Sequence, residues 1–134
     1  MTNKERMSVE DIFKKACEKY KIDFEKSYDY VRLAVEQGLI RVLRSGNTLL
    51  IYKIISPGHI EAHIFTADGM NGVANALRDF DGALRKAGFK SAETTINDHS
   101  LLKLFDRAGI KYMVEQATDE SGAEIPEYKV TFGV

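Results

Sequence analysis

A single mixed α/β domain is the fold class that the chain predicts, and three observations predict it. Four stretches carry apolar residues at three- and four-residue spacing, while six others are β-rich or alternate with a period of two. The stretches come in the order helix, helix, three strands, helix, strand, helix, two strands, which makes a mixed sheet with helices against it. A length of 134 residues with 44% apolar and 29% charged side chains is enough to bury one continuous core without metal or disulfide staples.

The elements follow from local signals. Residues 1–7 are polar and are expected to be flexible, leaving 8–134 as the domain. Ser8 caps a first helix, with Asp11 at the capping-box position and Val9, Ile12, Phe13, Ala16, Cys17 and Tyr20 on one face. Asp23 caps a second helix from Phe24 to about Gln37, with Tyr28, Val31, Ala34 and Val35 inward and Gly38 as its stop. From Leu39 to Arg44 and from Thr48 to Ile55 the period is two, and Ser45-Gly46-Asn47 makes the turn between them. Pro57-Gly58 turns the chain into a third strand, His59 to Thr66, on which Glu61 and His63 share one face and Ile60, Ala62 and Ile64 the other. A third helix from about Asn71 to Ala87 buries Val73, Leu77, Phe80 and Leu84. The run Ser91 to Asn97 is a strand, which makes a right-handed crossover to a parallel neighbour. Asp98 caps a fourth helix that ends at Gly109, and Lys111–Thr118 with Tyr128–Phe132 closes the chain as a hairpin.

Composition excludes several functional classes. A formal charge of -1 gives no field to draw the chain onto nucleic acid, and no apolar run has the roughly 20 residues of a membrane-spanning helix. One cysteine, Cys17, forms no internal disulfide and no cysteine-rich zinc site, and three histidines without a carboxylate spacing pattern predict no metal. MTNKERMSVED has no signal-peptide h-region, so the cytosol is the expected compartment.

The order of elements resembles the fold of the GNAT superfamily of N-acetyltransferases from its second element to its end, with the family's first strand absent. In that family an Arg or Gln, two residues, Gly, one residue, then Gly or Ala forms the loop that wraps the pyrophosphate of acetyl-CoA. The matching positions here are Gly69-Met70-Asn71-Gly72-Val73-Ala74, with the glycine and the small residue present and the opening Arg or Gln missing. A second signature, an Asn and then a helix ending Leu-Tyr-Glu-Lys-any-Gly-Phe, aligns with Asn97 and with Leu104-Phe105-Asp106-Arg107-Ala108-Gly109-Ile110. The tyrosine that serves many members as general acid is Phe105 here.

These departures lead to a preferred expectation of a non-catalytic, acetyltransferase-like protein of the kind encoded by tailed phages, acting in the host cytosol or virion. It would dock a protein partner or itself and need no cofactor. The alternative is an acyl-CoA-dependent N-acetyltransferase. In it Glu61 or His63 serves as base, residues Gly69 to Ala74 hold pyrophosphate, and Asn97 contacts the pantetheine region. The enzyme predicts a cleft of acyl-CoA size between the third strand and Thr94-Thr95; the docking protein predicts that Met70, Phe65 or Phe105 fills it.

Overall fold

The computed structural model describes residues 6–96 and 101–133. The elements run α1 (Val9–Tyr20), α2 (Phe24–Glu36), β1 (Arg41–Ser45), β2 (Thr48–Ser56), β3 (His59–Thr66), α3 (Met70–Lys86), β4 (Ser91–Ile96), α4 (Leu102–Ala108), β5 (Tyr112–Thr118) and β6 (Glu124–Gly133). They form one six-stranded sheet in the order β1-β2-β3-β4-β6-β5, with β3 and β4 parallel and every other pair antiparallel. The architecture is the expected α/β one, a helical hairpin, a three-stranded meander, a crossover, a helix and a hairpin.

The starts of α1 and α2 and the stop of α4 obey the sequence signals, and Asp98, the expected cap of α4, lies outside the described residues. The Ser8 hydroxyl accepts from the Asp11 N–H at 3.1 Å, and the Asp23 carboxylate accepts from the Lys26 N–H at 3.2 Å. Gly109 stops α4 in the left-handed region at φ 74°, which only a residue without Cβ adopts cheaply.

Each face of the sheet has its own core. Leu50, Tyr52, Ile60, Ala62 and Ala92 pack under Ala76, Phe80 and Leu84 of α3, and a second group joins Val73 and Leu77 to Phe105, Ile110 and Val130 under α4. On the opposite face Phe13 and Cys17 of α1 meet Ile51, with the Phe13 ring stacked on Phe65 at 4.6 Å and edge-on to Tyr28 at 5.7 Å. Burial raises the Cys17 thiol above its ordinary range, so it packs as a small apolar side chain.

Three expectations shift. The last strand is twice as long as the sequence suggests, because polar Glu124 pairs across to Thr118 and the Gln116 side chain donates to the Ile125 and Glu127 carbonyls. Val9 and Val35 lie outside the core, 42% and 41% exposed, at the outer ends of their helices. Met7 belongs to the segment expected to be flexible, yet it is not loose. It donates to Asn47 Oδ1 at 3.0 Å, and Arg44 of β1 donates to the Met7 carbonyl.

Candidate functional site at the parting of two parallel strands

The parallel pairing of β3 with β4 lasts three rungs, His59 with Ser91, Ile60 with Ala92 and Glu61 with Glu93, although the strands continue to Thr66 and Ile96. Beyond Glu61 the strands part and their facing backbone groups have no ladder partner, an arrangement that leaves donors and acceptors for another molecule. α3 begins just past the free end of β3, so the parting and a helix N-terminus lie at one end of the sheet.

Two carboxylates face each other across the last rung, and each has its own cation. Glu61 lies 3.8 Å from the Lys53 ammonium and 3.3 Å from His63 Nε2. The sequence expectation that Glu61 and His63 share a face is met, and the structure brings them into contact; both point to the face on which α1 packs against Ile51 and Phe65. Their side chains stay 37% and 51% exposed, which leaves a base accessible.

Glu93 is the more enclosed partner, 15% exposed, with Lys129 at 2.8 Å, His59 Nε2 at 3.4 Å and the His59 Nδ1 atom sharing a hydrogen bond with Ser91. Burial pushes its carboxyl up, but the Lys129 and His59 contacts outweigh it and hold the pKa below the ordinary 4.5. The same contact raises Lys129 above its ordinary 10.5. A depressed carboxylate stabilises the fold fully above its unfolded value and loses that contribution as pH falls through its folded value. Thermal midpoints recorded from about pH 7 to pH 3 should therefore fall in the wild type, and fall less steeply in Glu93→Gln.

At the start of α3, Gly69 is the N-cap without a side-chain cap, and an added Cβ there would meet nothing within 4 Å, so the loop is open to an incoming group. Gly72 is the opposite case. A Cβ would lie 2.8 Å from Asp68 Cβ, so only glycine lets the helix settle on this side chain. Asp68 in turn accepts from the Asn47 N–H at 3.0 Å and the Thr48 hydroxyl at 2.8 Å, and Thr48 is completely buried. The loop is thus pinned to the β1–β2 turn by a carboxylate. Met70 at N1 is 50% exposed and stays out of the core. Val73 donates its N–H to the Gly69 carbonyl at 3.0 Å, so of the six loop positions Gly69 to Gly72 are the ones whose N–H groups precede the first intrahelical bond.

A charge that the sequence motif lacks arrives from elsewhere. Arg107, on α4, donates to Asn71 Oδ1 in the first turn of α3 at 3.2 Å. Arg78 supports it by donating to the Arg107 carbonyl at 2.6 Å and to Asn75 Oδ1 at 2.9 Å. Residues 71 and 107 are 36 apart, so nothing in the sequence linked them. Asn97 lies outside the described residues.

The cleft expected between β3 and Thr94-Thr95 is divided between the two readings. The strands part as an enzyme requires, but Ile64, Phe105 and Ile110 close the α3 side and leave a cavity of about 20 Å³, room for one water. Phe65 takes no part, being stacked on Phe13 on the other face. Among the described residues no three His, Cys, Asp or Glu side chains are placed to hold a metal ion, and no helix is long and apolar enough to cross a membrane.

No protein-family model and no curated protein sequence matches the chain. Solved structures do. The microcin C7 self-immunity acetyltransferase MccE, in complex with acetyl-CoA and AMP, superposes with a TM-score of 0.57 at 14% identity over 84% of this chain and 71% of that one. A phosphinothricin acetyltransferase of the GNAT superfamily from Sinorhizobium meliloti, in complex with acetyl-CoA, gives 0.55 at 14% identity over 81% and 69%. A ribosomal-protein-alanine N-acetyltransferase from Brucella melitensis gives 0.55 at 14% over 84% and 78%. The expectation that no cofactor belongs to this architecture is corrected by these likenesses, since two of the three structures hold acetyl-CoA. It rested on the missing Arg or Gln at position 69, and the guanidinium of Arg107 now stands beside that turn. With its splayed parallel pair, its helix after the meander and its closing hairpin, the chain has the fold of the GNAT acetyltransferases.

Proposed function

We propose that the chain is an acyl-CoA-dependent N-acyltransferase, and the observation that carries this is the parting of β3 and β4 at Glu61 and Glu93 beside an open, Arg107-flanked helix N-terminus. The residues present suit such a ligand. Backbone N–H groups of Gly69 to Gly72 and the Arg107 guanidinium take phosphate oxygens, the second through charge-assisted bonds that a bare helix end lacks. The unpaired edge of β3 beyond Glu61 supplies backbone partners for an extended amide-bearing arm. Acyl-CoA, when bound, supplies the activated acyl thioester.

Glu61 and His63 then work on the acceptor. Their side chains stand where the two strands separate, and the Glu61 carboxylate takes the proton of the attacking amine directly or through His63 at 3.3 Å. Phe105 has no proton to give, so general-acid help is not supplied from that position.

Calorimetric titration with acetyl-CoA and with CoA tests the reading. Binding in the micromolar range is expected, weakened at least about tenfold by Arg107→Glu with no loss of thermal stability. No heat and no thermal shift at about 1 mM ligand would overturn it. That outcome would favour the non-catalytic docking protein, whose support is the side-chain filling of the seam by Ile64, Phe105 and Ile110.

A further inference from the structure

The sheet has two outer strands, and they are not equally guarded. β1 carries Arg41 and Arg44, and Arg44 is drawn over its turn toward Met7, Gly46 and Asn47. Charge of one sign along an edge keeps other strands away. β5 pairs with β6 on one side and, among the described residues, with no strand on the other. Its regular part, Tyr112 to Gln116, contains a single charged side chain, Glu115. Met113 is 78% exposed and Val114 38%, and Met113 is the most exposed large apolar side chain among the described residues.

We propose that β5 is a self-pairing edge through which two copies of the chain join antiparallel into one continuous sheet, centred on Met113. The choice of a second copy and of this register follows from strand geometry and charge. Identical chains that close on themselves do so about a two-fold axis, which pairs the same strand antiparallel with its copy. Residues directly opposite in such a pair must point their backbone groups the same way, so only same-face residues face each other. Centred on Met113, the axis places Met113 against its copy, Tyr112 against Val114, and Lys111 against Glu115 twice over. Both exposed apolar side chains are then covered, and each Glu115, itself 68% exposed and only 3.8 Å from Lys129, gains a second cation. Centring on Glu115 would set the two carboxylates on each other. Centring on Val114 would leave Lys111 opposite Ala117, at the irregularity between Gln116 and Thr118 where regular pairing ends. The inference is independent of whether the chain binds acyl-CoA.

Sedimentation equilibrium of the full chain, together with charge reversal, tests it. The wild type should sediment at twice its 15.1 kDa. Lys111→Glu and Glu115→Lys, each of which sets like charges opposite one another at two places, should each raise the dimer dissociation constant at least about tenfold. The double variant K111E/E115K should restore it. Met113→Cys should give a disulfide-linked dimer on mild oxidation, with Cys17 buried and unable to compete. Circular dichroism of each variant separates loss of pairing from loss of fold. A wild type that stays monomeric at about 100 µM, single variants that dimerise undiminished, or a double variant that stays monomeric would overturn the proposal.

Discussion

Replacing Glu61 by glutamine is expected to lower kcat/KM for acyl transfer by about 10²–10⁴-fold while leaving acetyl-CoA affinity unchanged. The side chain is at the last rung before β3 and β4 part, and it is held from two sides, by Lys53 at 3.8 Å and His63 at 3.3 Å. Glutamine keeps the shape and the hydrogen-bonding reach but accepts no proton at neutral pH. Acetyl-CoA-dependent thiol release measured over a panel of amines reads the effect, and the calorimetric affinity for acetyl-CoA separates chemistry from binding. Should the Gln variant turn over as fast as the wild type, Glu61 is a surface ion-pair partner of Lys53 and the base has to be sought in His63. A fall in His63→Gln that matches Glu61→Gln, with no further loss in the double variant, would place the two in one proton path.

The largest stability effect is expected at Phe13, where substitution by alanine should cost about 3–5 kcal/mol. The ring is 1% exposed, stacks on Phe65 at 4.6 Å, and meets Phe24 and Tyr28 at 6.2 and 5.7 Å. It is the link between the α1–α2 hairpin and the meander, and Phe65 lies on the same strand and the same face as Glu61 and His63. Truncation therefore leaves a cavity and also loosens the helices that border the face carrying Glu61 and His63. Urea unfolding gives the free-energy loss, and amide exchange should show α1 and α2 opening before α3. A loss below about 1 kcal/mol would mean that the hairpin is held elsewhere and that the aromatic cluster is incidental to its docking.

How much of this was legible in the sequence depends on distance along the chain. The caps Ser8 and Asp23 and the stop at Gly109 are contacts between residues a few positions apart, and the periodicities of α3 and β3 report faces that every residue of an element shares. The opening at Gly69 to Gly72 was legible for the same reason, as a helix start written in small residues. Glu61 and His63 were placed together because alternate positions of one strand must share a face.

What those rules do not reach are pairs distant in sequence. Arg107 meets Asn71 only because α4 packs beside α3, and Glu93 finds Lys129 only because β6 inserts between β4 and β5. Asp68 reads as an ordinary loop residue until the β1–β2 turn closes on it and buries Thr48 beneath its carboxylate. The polar start of β6 was illegible because a strand outside the core carries no apolar alternation, and its partner β5 alone makes it a strand. Local chemistry and periodicity thus determined the elements, their order and the face each one buries. The tertiary structure decided where the parallel strands part, which charges stand at that point and which strands form the two edges of the sheet, because each of these depends on contacts that exist only once distant segments have packed.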